Sequence, residues 1–253
     1  MKPQICNFLP IPDLLEAKSI LCIQPHPDDM EIGAGASLAT LAKLGAQITC
    51  LTVTDGSAGT YDPSSDLDDL VKTRRKETEK SAEILGVNEL LWLDFPDGGN
   101  LPLDIIRTKI TSLIRKLKPQ AVLVCDPWLP YEAHSDHNRT GLATAEASLL
   151  AGMPNFCPVD LQDGIMPHTV NMIAFYYTAY PNTFIDVSTT WEQKMAAIDC
   201  HASQFSGEKK EKLKAYLTAR ARELAEGRKD ELVEALKVLS IDHLHIFEEA
   251  WQC

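Results

Sequence analysis

Short apolar runs alternate with helix-patterned stretches along most of this chain, and that alternation limits the possible folds more than any other feature of the sequence. Ser19–Gln24 (SILCIQ), Ile48–Val53, Leu90–Leu93 and Ala121–Cys125 read as strands, the second rich in β-branched residues. Between and after them, Ile32–Leu44, Leu67–Leu85, Ile105–Leu117 and Asn138–Leu150 read as helices. Gly45, Gly86, Lys118-Pro119 and Gly152 supply the stops. Later strands are read at Asn171–Tyr177 and Phe184–Val187, and later helices at Thr190–His201 and Glu208–Glu226. The proline-rich stretch Met153–Val170 reads as an excursion from the pattern. Strand–helix–strand units close through right-handed crossovers into a mostly parallel sheet. The expectation is an α/β, Rossmann-like fold with helices on both faces and an active site at the carboxyl ends of the strands.

Composition removes several function classes. Lys and Arg total 24 against 36 Asp and Glu, a net charge of −12, which disfavours a nucleic-acid partner or an anionic membrane surface. No apolar run approaches the roughly 18–20 residues of a membrane span. The N-terminal MKPQICNFLPIPDLLEAKS lacks a continuous apolar core, so no secretory leader is expected. Seven cysteines, an odd number without a CxxC pair, read as buried thiols of a reducing, cytoplasmic compartment.

Two strand ends carry the chemistry. The first strand runs into Pro25-His26-Pro27-Asp28-Asp29, where an imidazole and two carboxylates crowd one turn. Adjacent carboxylates cannot point the same way, so one can bind a cation while the other faces a water. A capped helix start is the structural alternative. The strand ending at Cys125 leads to His134-Ser135-Asp136-His137, in which two imidazoles three residues apart can share a helical face and Asp136 can orient one of them. Together, His26, Asp29 and one of His134 and His137 form a two-His, one-carboxylate set, the three-ligand pattern of hydrolytic zinc. Asp28 could then serve as general base, and the spare His could stabilise an oxyanion or protonate a leaving amine. Iron(II) or manganese suits the same ligands. Trp128 and Tyr131, on the loop before His134, could stack on a pyranose ring. TDGSAGT lacks the lysine of a P-loop, and Gly33-Ala34-Gly35 lacks the third glycine of a dinucleotide fingerprint.

The segments QPHPDDMEIGAGASLA, TDGSAGT, RRKETEKSAEILGV and DPWLPYEAHSDH, in that order, resemble the LmbE-like, or PIG-L, family of zinc-dependent N-deacetylases, and most of all its archaeal branch acting on diacetylchitobiose. LPLDIIRTKI, MPHTVNMIAFYYT and HASQF extend the likeness across residues 19–206. The resemblance implies zinc ligands at His26, Asp29 and His137, a general base at Asp28, and an oxyanion-stabilising, amine-protonating role for His134. It implies sugar-hydroxyl contacts for Arg74 and for Asp97 in DFPDGG. Met30 before Glu31, and Ser135 where the family has proline, depart from the motifs without removing a ligand. Residues 207–253 match less well; there HLHIF resembles a closing region from which a His, here His245, is implied to reach a neighbouring subunit's site. Also implied are one catalytic domain spanning 1–253, an N-acetylglucosamine-bearing small sugar as substrate, and a homo-oligomer, the relatives being hexamers. The competing readings are a deacetylase of another amino-sugar conjugate, of thiol-precursor or aminoglycoside type, and a non-catalytic nucleotide- or sugar-binding module.

Overall fold

The computed structural model describes residues 4–253, so the first three residues of the N-terminal stretch lie outside the described residues. The strands are β1 (Ser19–Gln24), β2 (Gln47–Thr54), β3 (Glu89–Phe95), β4 (Ala121–Cys125), β5 (Met172–Tyr176), β6 (Thr183–Asp186) and β7 (Val233–Ser240). They form one mixed, mostly parallel sheet of order β3-β2-β1-β4-β5-β7-β6. The helices are α1 (Asp29–Lys43), α2 (Leu67–Leu85), α3 (Leu103–Leu117), α4 (Ser135–Leu150), α5 (Val159–Gln162), α6 (Trp191–Cys200) and α7 (Gly207–Ala225). The α/β expectation holds, and β1, β4 and α2 begin and end where the sequence places them.

The chain divides into two compact units. The first comprises residues up to Ile23, Asn100–Thr183 and Leu236–Cys253. In it β1 runs parallel to β4 and β4 parallel to β5, while β7 lies antiparallel to β5. Every residue of β4 (AVLVC) and β5 (MIAFY) is buried, as near-continuous apolar strands require. α3 packs on α4 and buries Ile106, Ile110 and Ile114, spaced for one helical face. The fully buried Arg115 organises the 153–170 excursion. Its guanidinium pairs with Asp160 at 2.9 Å and donates to the carbonyls of Ala151, Met153, Phe156 and Cys157.

The second unit comprises Gln24–Gly99 and Phe184–Ala235. β2 runs parallel to β3 with a register shift between Thr52 and Thr54, and α1, α2 and α6 pack together. α2 starts on the side chain of Asp66, which accepts from Asp69 N at 3.1 Å, and stops at Gly86 in the left-handed region.

The cysteines need a correction. Cys22, Cys50 and Cys125 are buried free thiols, as expected, but Cys6 and Cys253 form a disulfide across a sequence separation of 247. For those two residues the free-thiol reading fails. Cys253→Ser is expected to lower the unfolding free energy by about 2–4 kcal/mol, measured by denaturant titration. A wild-type midpoint that is unmoved by a reductant would show that the bridge constrains nothing. No helix among the described residues is long and apolar enough to cross a membrane.

Candidate active site

In the second unit, β1 ends at Gln24, whose buried amide ties the following turn in place. Its Oε1 accepts from Met30 N at 3.0 Å, and its Nε2 donates to Thr52 Oγ1 at 2.9 Å. Asp29 Oδ2 accepts from His26 N at 2.9 Å and lies 3.1 Å from His26 Nδ1. Asp97, just past β3, places Oδ1 3.2 Å from His26 Nε2. Asp28 precedes α1 with φ at 123°, a positive value rare for a residue with a Cβ, and its side chain makes no capping bond. That disposes of the capped-helix alternative. Such strain costs about 1–3 kcal/mol and gathers at functional sites.

The side chain of Asp28 meets Arg74 instead, with Nη2 3.2 Å from Oδ2. Arg74 is only 3% exposed; its Nη2 also donates to Pro27 O at 2.7 Å and its Nη1 to Gly56 O at 2.8 Å. Behind Asp28 stands a fully buried pair, His201 Nε2 lying 3.0 Å from Glu31 Oε1, to which Ser81 Oγ also donates. Burial pushes the Asp28 carboxyl up to about 7; Asp29 and Glu31 add to the rise, and Arg74 and His201 oppose it. Burial alone would lower the His201 pKa, but Glu31 beside it, with Asp28 and Glu77, raises it overall.

In the first unit, β4 ends at Cys125 and α4 begins at the N-cap His134. Gly141 lets that helix close on the strand end, because a Cβ there would stand 2.6 Å from Cys125 O. His134 Nδ1 accepts from Asp136 N at 3.3 Å, which leaves the proton of a neutral ring on Nε2. Glu132 holds both histidines. One of its carboxylate oxygens accepts from His134 N at 2.8 Å, and the other lies 3.4 Å from His137 Nδ1. Tyr177, just past β5, stacks on His137 with ring centroids 6.1 Å apart.

Two sets of side chains offer ligand atoms within 4.8 Å of one another and could hold a metal ion: His26, Asp29 and His137, and an overlapping set of His26, Asp97, His134 and Asp136. Of the site residues expected from the sequence, His26, Asp29, Asp97, His134 and His137 fall in these sets, Asp28 and Arg74 pair with each other, and Trp128, Tyr131 and His245 join neither set. His245 is exposed just past the short 3-10 turn Ile241–Leu244. Arg74, expected at sugar hydroxyls, turns Nη1 and Nη2 to Asp28 and two carbonyls, while its Nε has no hydrogen-bond partner. Sequence reasoning missed Glu132, Tyr177, Ser81 and the Glu31–His201 pair. All of them lie within segments that carry the family likeness, but residue type and spacing assign them no role.

A family model described as PIG-L, GlcNAc-PI de-N-acetylase, matches residues 21–148. A diacetylchitobiose deacetylase of Thermococcus kodakarensis is 44% identical over 190 residues, spanning 75% of this chain and 71% of that protein. The solved N,N'-diacetylchitobiose deacetylase from Pyrococcus horikoshii, complexed with an inhibitor, has a TM-score of 0.88 at 38% identity, covering 92% of this chain and 88% of that one. A 4-carboxy-2-hydroxymuconate hydratase of Pseudomonas putida shares the fold alone, with a TM-score of 0.73 at 21% identity over 88% of this chain and 95% of that one. The family match spans just over half of the chain and takes in the His26–Asp29 turn, Arg74, Asp97 and both histidines of α4: the chain belongs to the PIG-L family.

Proposed function

We propose that this chain is a zinc-dependent hydrolase that removes the N-acetyl group from N-acetylglucosamine units of a small sugar such as diacetylchitobiose, releasing acetate. The observation that carries the reading is the set His26, Asp29 and His137, two imidazoles and one carboxylate, with the strained Asp28 adjacent in the chain to Asp29. Those donors fit zinc, and Glu132 beside His137 Nδ1 leaves Nε2 as the ligand atom. The printed activities of the Thermococcus and Pyrococcus relatives support the substrate.

Held by His26, Asp29 and His137, a cation would supply Lewis acidity toward the amide carbonyl and would lower the pKa of a water. Asp28 takes the proton of the attacking water, a task its raised pKa suits. His134, protonated on Nε2, donates to the carbonyl oxygen as negative charge develops. The proton gathered by Asp28 is then available to the departing amine. Arg74 holds Asp28 in place, and Asp97 steadies His26. The exposure of His245 fits its reaching a neighbouring subunit's site in a homo-oligomer, and we retain one catalytic domain and a cytoplasmic setting as part of the proposal.

The test is metal content beside acetate release. About one zinc per chain is expected, from the three-ligand rule. Chelation should abolish release of acetate and free amine from N-acetylglucosamine and its disaccharide, and zinc should restore it. Full activity in verified metal-free protein would sink the mechanism, and zinc-loaded protein inert on acetylated sugars would move the substrate to another amide class.

A further inference from the structure

The first unit contains a second concavity, separate from the ligand sets and not used by the mechanism above. Its volume is about 310 Å³, and it is bordered by Asp126, Trp128, Phe175, Tyr180, Lys237 and Trp251, among others. That is the lower end of the roughly 300–1,000 Å³ of small-molecule pockets, so it suits one ring rather than an extended ligand. The aromatic side chains are held edge to face in two pairs. Trp128 meets Phe175 with centroids 5.6 Å apart, and Tyr180 meets Trp251 at 5.7 Å. Edge-on packing fixes each ring yet leaves faces open. Trp128, Tyr180 and Trp251 remain 56%, 46% and 57% exposed, too much for core packing.

Polar groups complete the wall. Asp126 is 6% exposed and turns one carboxylate oxygen to Trp128 N at 2.9 Å. Lys237 is 5% exposed and donates to Trp251 O at 3.2 Å. Flat apolar faces combined with a few buried charged groups match the chemistry of a pyranose, whose axial C–H face is apolar and whose edge is a ring of hydroxyls. The position fits as well. Trp128 lies on the loop that leads from β4 to His134, and Phe175 and Tyr180 flank Tyr177, which stacks on His137. A sugar in this cavity would adjoin the residues assigned to the amide.

We propose that this cavity is a second sugar subsite, which holds the neighbouring pyranose of a β-linked disaccharide while the N-acetylated ring is at the reaction centre. The inference rests on the deacetylase reading for its substrate, but the cavity can be tested without it. The experiment measures kcat/KM for N,N'-diacetylchitobiose and for N-acetylglucosamine in the zinc-loaded wild type, Trp251→Ala and Trp128→Ala. Calorimetric binding of the disaccharide is measured in parallel. Loss of one stacking face is expected to reduce the preference for disaccharide over monosaccharide by about tenfold. Two variants from different segments guard against one that merely misfolds, since misfolding lowers both rates together and leaves their ratio alone. An unchanged ratio in both variants overturns the subsite while leaving the deacetylase reading intact. If the wild type deacetylates neither sugar, the deacetylase reading fails, and calorimetry decides the cavity. Disaccharide binding that weakens about tenfold in the variants supports it, and binding that is absent or insensitive to both substitutions overturns it.

Discussion

Asp29→Ala and His137→Ala are expected to lose metal and activity together, whereas Asp28→Asn and His134→Ala keep the metal and lose about 10²–10⁴-fold in rate. Each pair looks interchangeable in sequence, yet the backbone separates its members. Asp29 sits in the first turn of α1 with its carboxylate drawn back to His26, while Asp28 is swung by its positive φ onto Arg74. His137 lies inside α4 between Glu132 and Tyr177, while His134 caps the helix and keeps its proton on Nε2. The measurement is metal content beside turnover for all four variants. If His134→Ala empties the site and His137→Ala leaves it full, the two histidines exchange roles, an outcome the overlapping ligand set containing His134 makes worth testing. If all four variants lose metal equally, the division into ligands and catalysts is wrong.

Arg74→Ala is expected to destabilise the protein by about 3–5 kcal/mol, the usual cost of removing one partner from a buried ion pair, and to shift the acidic limb of the pH–rate profile upward. The direction of the shift follows from charge. As general base, Asp28 must be ionised, so activity rises as the pH passes its pKa. The guanidinium opposes the rise that burial imposes on that pKa, and removing it lets the value climb further. Arg74→Lys is expected to rescue little, because one ammonium cannot bridge Asp28 and the carbonyls of Pro27 and Gly56 as a planar fork does. A variant of normal stability and pH profile whose only defect is a raised KM for sugars would instead make Arg74 a substrate ligand, as the family resemblance implies.

Arg74 also marks how far the sequence could be read. Strand ends are legible because apolar runs stop where polar turns begin, so the HPDD and HSDH segments could be assigned to the carboxyl ends of β1 and β4. The fate of a charge on a helix is not legible, because nothing in RRKETEKSAE separates the buried Arg74 from the more open Arg75. β7 escaped notice for a related reason. VEALKVLS contains Glu234 and Lys237, both nearly buried, which spoil the apolar run of an inner strand, and EALK reads as helix. The partner of Glu234 is Lys194 on α6, 40 residues earlier, and local pattern cannot show such a pairing. Glu31 and His201 are likewise joined only by the fold. The Cys6–Cys253 bridge links the two ends of the described chain, where spacing carries no information.

That bridge changes what a protease can do to the molecule. With Cys6 and Cys253 covalently joined, the backbone between them is a closed ring. The exposed turn at Glu226–Lys229 is the kind of surface site where nicking concentrates. A single cut there opens the ring without releasing a fragment. The strand β7 and the C-terminal segment beyond it stay tethered through sulfur to the N-terminal stretch, and the two pieces part only when the disulfide is reduced as well.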